Sequence, residues 1–80
     1  MSADQSTHTL TLTREALFWV LTVAGNGSTQ QPHRHGLEVS YRVTTPPLDH
    51  ADAAALHRFG LTAGTWTRQG NNWTAPARTA

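Results

Sequence analysis

Residues 7–13, THTLTLT, alternate threonine with His8, Leu10 and Leu12. A period of two sends successive side chains to opposite faces, so this stretch predicts a half-buried strand. The next stretch, REALFWVLTVAGNG, is apolar on every side across residues 16–23. Thr13 can cap a helix, Glu15 suits the positive end of its dipole, and Gly25-Asn26-Gly27 supplies a stop. These signals favour a helix buried nearly all round. The β-branched and aromatic content of residues 16–23 suits a strand as well.

Residues 26–36, NGSTQQPHRHG, read as a polar loop. LEVSYRVTT follows, with Leu37, Val39, Tyr41 and Val43 on one face and Glu38, Ser40 and Arg42 on the other, which predicts a strand. Pro46-Pro47 ends it, because proline removes a ladder donor. In LDHADAAALHRFGL, Asp49 is the expected helix N-cap, with Asp52 at the third helical position. Gly60 fits the left-handed position after the helix, with Leu61 folding back onto Leu56. Ala53, Leu56, Ala55 and Phe59 make a narrow apolar face whose alanines permit close approach to a sheet.

The last pattern is TWTRQGNNWTAP, residues 65–76. With Gly70-Asn71 as a two-residue loop, Gln69 pairs with Asn72 and Arg68 with Trp73. One face then carries Trp66, Arg68 and Trp73, and the other Thr65, Thr67 and Thr74. Taken together, the pattern predicts one small α+β domain over residues 1–80 in the order β-α-β-α-β-β. An antiparallel or mixed sheet would carry both helices on one face. Residues 1–6 and 77–80 are expected to be flexible tails.

Size sharpens this picture. A chain of 80 residues buries only roughly 60–65% of the surface its unfolded form exposes. There is no cysteine, which removes disulfides, thiolate catalysis and cysteine zinc sites. A homodimer would enlarge so small a core and cover a sheet edge. No apolar run reaches the ~20 residues that span a bilayer, and MSADQSTHT lacks the basic and apolar regions of a signal peptide. The expectation is a soluble cytoplasmic protein without a membrane partner.

Charge argues against one class of partner. The formal net charge is +1, and all six basic residues are arginines spread along the chain. A nucleic-acid binder usually carries a basic stripe, and none is visible. In a winged-helix reading, the helix after Pro47 would offer only Arg58 and two histidines against Asp49 and Asp52. Bases stacking on Trp66 and Trp73 form a better version of nucleic-acid binding.

Candidate chemistry is sparse. His33 and His35, two apart in an extended segment, can face one metal ion. They lack a defined third ligand, and solvated loop histidines are the plainer account. Ser, His and Asp occur without a nucleophile elbow, and Gly25-Asn26-Gly27 lacks the Lys-Ser/Thr of a phosphate loop. No cofactor is implied, and an enzyme is not expected. Tryptophan and arginine are enriched at binding hot spots. The sequence therefore points to a non-catalytic module that modulates a protein partner through Trp66, Arg68 and Trp73. An inhibitor of a host system, carried by a phage or mobile element, is one form such a regulator takes. Nucleic-acid binding and histidine-based metal binding are the alternatives.

Overall fold

A computed structural model describes residues 6–27 and 31–80. Six strands and one helix follow the order β1 (His8–Arg14), β2 (Phe18–Gly25), β3 (His33–Ser40), α1 (Leu48–Phe59), β4 (Leu61–Ala63), β5 (Thr67–Gln69) and β6 (Asn72–Thr79). Among the described residues strand accounts for 51% and helix for 17%, in a sheet curled into a half-barrel, so the expected two-helix order β-α-β-α-β-β is wrong. All pairings are antiparallel, in the order β3-β2-β1-β6-β4. β5 lies beside β6 along the same flank as β4.

The error lies at residues 13–24. Thr13 belongs to β1 rather than capping a helix, and Glu15 sits in the turn between β1 and β2. Trp19, Leu21 and Val23 point inward and are buried. Phe18, Val20 and Thr22 lie on the outer face. The period of two is present, but Phe18 and Val20 are apolar too and conceal it. β-branched and aromatic residues fit a pleated surface better than a crowded helical turn.

Buried apolar residues from several strands of the curl join those of β2 to make the core. β1 supplies Leu10 and Leu12, β3 supplies Leu37 and Val39, and β6 supplies Ala75 and Ala77. α1 crosses the concave face from β3 at one edge to β4 at the other, presenting the fully buried Ala51 and Ala55. These small side chains let the helix backbone sit close to the leucines beneath it. On the convex face Thr11 is opposite Thr22 on β2 and opposite Thr74 on β6, a cross-strand threonine row of the kind that stabilises pleated sheets.

Several local expectations change. Pro47, not Asp49, occupies the helix N-cap and no side chain caps it; Asp49 instead lies in the first turn. Gly60 does take the left-handed conformation, φ 65°, and its N–H meets the Leu56 carbonyl at 3.1 Å. Leu61 is buried as the first residue of β4, whereas Leu56 is exposed, so the two do not form the expected closing contact. β3 begins at His33, so residues 33–36 are strand rather than loop, while Tyr41 and Val43 lie beyond its end. Residues 77–79 continue β6, paired with β4, and are not a tail. The tail expected at residues 1–6 falls, except for Ser6, outside the described residues.

Candidate functional site

The hairpin at residues 67–74 pairs in the register its turn requires: Thr67 with Thr74, Arg68 with Trp73, Gln69 with Asn72. Positive φ falls on Gly70 alone, at 64°, the position a type II′ turn reserves for glycine. Arg68 therefore stands beside Trp73 on one face. Trp73 is in turn opposite Leu12 of β1, so the end of β1 that carries Arg14 lies next to the hairpin tip.

This juxtaposition opens a cleft of about 440 Å³ at one end of the half-barrel. Arg14, Trp19, Arg68, Asn71, Asn72 and Trp73 line it, with Thr44 and Pro46 from the segment before α1. Its two arginines are held in the same way. Arg14 Nε donates to the Tyr41 carbonyl, and Arg68 Nε donates to the Gly70 carbonyl at 3.0 Å. Each anchor engages Nε, and among the described residues nothing occupies the terminal N–H groups of either guanidinium. Among the described residues no carboxylate lines the cleft. Among the described residues the ion pair formed is that of Arg34 with Glu15, elsewhere on the surface. Trp19 is buried, and its Nε1–H donates to the Val43 carbonyl at 2.9 Å, which fixes the indole as a rigid wall.

Of the residues expected to form a site, Arg68 and Trp73 come together and Trp66 does not join them. Trp66 lies just ahead of β5 and packs against the core, its Nε1–H donating to Asp52 Oδ1 at 2.8 Å. It ties the β4–β5 connection to α1. Arg14, Trp19, Asn71 and Asn72 were missed. The sequence pattern places Arg14 in the first turn of a helix, where nothing would bring it near the hairpin.

His33 and His35 are on β3 and flank Phe59, with ring centroids 6.2 and 6.1 Å from it. Among the described residues no group of three or more His, Cys, Asp or Glu is placed to hold a metal. Nor is any helix there long and apolar enough to cross a membrane. No protein-family model, curated protein or solved structure matches the chain.

Proposed function

We propose that this chain is a non-catalytic cytoplasmic module that modulates a protein partner by gripping an acidic segment of it in the Arg14–Arg68 cleft. The observation that carries the reading is the pair of arginines anchored through Nε, in a cleft whose described lining holds no counter-charge. A guanidinium held in place presents its donors as a planar fork that fits a carboxylate bidentately, and less side-chain freedom is lost on binding. Trp73 beside it offers a broad apolar contact at low entropic cost, the combination found at interface hot spots. Inhibition of a host system is one mode of action open to such a module.

A second reading draws on the same cleft. An indole next to two arginines also suits a stacked base and its phosphate. Six dispersed arginines and a net charge of +1 supply little of the phosphate neutralisation that dominates nucleic-acid affinity. Affinity capture from the native host, with wild-type and Arg68→Ala baits and detection of both protein and nucleic acid, tests the reading. The expected result is a protein that the Arg68→Ala bait holds more weakly by about 2 kcal/mol, with circular dichroism unchanged. Equal retention by both baits refutes the site. Recovery of nucleic acid with steep salt dependence refutes the choice of partner.

A further inference from the structure

Among the described residues β3 has one strand neighbour, β2, and no strand pairs with its other side. The opposite edge of the sheet is built from β4 and β5, each three residues long, and short strands are a common guard against edge pairing. β3 is eight residues long and contains no proline. Two hydrogen bonds fix the direction in which its peptide groups face. Glu15 N–H donates to the Phe18 carbonyl at 3.0 Å across the β1–β2 turn, and Tyr41 N–H donates to the Leu17 carbonyl at 3.1 Å. By the alternation of an antiparallel ladder, Trp19, Leu21 and Val23 turn their peptide groups toward β3. His35 and His33, the partners of Leu21 and Val23, answer them. Arg34 and Gly36 therefore direct N–H and C=O out of the open edge.

We propose that two copies of this chain pair antiparallel through β3, with Gly36 facing Gly36 of the second copy on the two-fold axis. The sequence of the edge, HRHGLEV, is chemically self-complementary about that glycine. Arg34 and Glu38 lie two residues to either side of it and are exposed. In this register each Arg34 meets the second copy's Glu38, twice over, as an isologous contact requires. Gly36 becomes a pair that exchanges both backbone hydrogen bonds. On the inner face His35 and Leu37 meet reciprocally above a groove that His50, Ala54 and Arg58 of α1 border. On the outer face the half-exposed Phe18 stands beside Gly36 and Ser40 and adds apolar area to the seam.

Two features bear on strength. Arg34 already reaches Glu15 within its own copy, but that pair is exposed, and exposed pairs contribute little. Exchange for Glu38 of a second copy costs correspondingly little. Between Phe18–Ser40 and Val20–Gly36 the register shifts, so Leu37, Glu38 and Val39 all oppose Trp19. The bend this gives β3 is spanned by the two longest side chains of the seam. A contact made chiefly of one strand pair lies at the small end of interface sizes, the class of weak and transient association.

Sedimentation equilibrium from roughly 10 µM to 1 mM, the range in which a small interface saturates, tests the proposal. The expected result is a monomer–dimer equilibrium that weakens with added salt. Arg34→Glu and Glu38→Arg, each placing like charges opposite one another, should each raise the dissociation constant about tenfold or more. The double exchange restores opposite signs and should return it to within about threefold of wild type. Gly36→Pro removes the central edge donor without touching the bonds to β2 and should abolish the dimer, with circular dichroism reporting the fold. A chain that stays monomeric throughout this range overturns the proposal. So does a dimer whose charge-exchange double variant is no tighter than the single ones.

Discussion

Leu21→Ala should cost this protein about 3–4 kcal/mol, the middle of the range for a leucine that leaves an unfilled cavity. Leu21 is among the largest fully buried side chains, in register with Leu12 on β1 and His35 on β3. The helix above supplies alanines at Ala51 and Ala55, which have no side-chain length with which to fill the void. A domain of this size has a total stability of about 4–12 kcal/mol, so the loss removes about a quarter of it or more. With a urea slope of about 1 kcal/mol per molar, the midpoint falls by about 3–4 M. The control is its neighbour: Val20→Thr lies on the outer face, opposite Thr13 and Gly36, and should cost less than about 1 kcal/mol. Urea unfolding followed by circular dichroism and by the fluorescence of the buried Trp19 measures both. Comparable costs at positions 20 and 21 would refute the strand assignment, because a helix buried all round penalises both.

Three further outcomes follow from local contacts. Gly60→Ala should destabilise by about 1 kcal/mol; a new Cβ there meets no atom within 4 Å, so the cost is backbone strain alone, and a neutral result in denaturation would mean that α1 does not end at this residue. Trp66→Phe and Asp52→Ala should each cost about 1 kcal/mol and be non-additive in a double-mutant cycle; additive losses would show that the indole does not hold the helix. Zinc or nickel should leave the melting temperature unchanged, since Phe59 stands against both His33 and His35; a rise abolished by His33→Ala with His35→Ala would reverse that conclusion.

What could be read from the chain was what local geometry dictates. The Gly70-Asn71 turn fixes its own hairpin register, and Gly60 marks a helix end, because each depends on a few neighbouring dihedrals. Residues 16–23 carried no such constraint. Thr13, Glu15 and Gly25-Asn26-Gly27 serve a strand, a turn and a strand end as readily as a capped helix, and the apolar Phe18 and Val20 hide the alternation around Trp19 and Leu21. His33-Arg34-His35 looked like loop because an open edge strand needs few apolar residues. Half of the cleft was invisible for a different reason. Arg14 reaches Arg68 and Trp73 only through the pairing of β1 with β6, a contact between segments far apart in sequence that no local pattern encodes.

That same pairing governs how the domain is assembled in time. β1 sits between β2 and β6, so the inner flank of a central strand stays unsatisfied until the last long strand arrives. Residues 8–40 can form a three-stranded meander early, by hairpins that close in microseconds. The β1–β6 ladder must then close a loop through nearly the whole described chain, an entropic cost incurred before any contact repays it. Folding should therefore be slow for the length of the protein, with an interval in which the Leu10 and Leu12 strand has an exposed edge. During that interval a chaperone, or a second chain, competes for the place that β6 eventually takes.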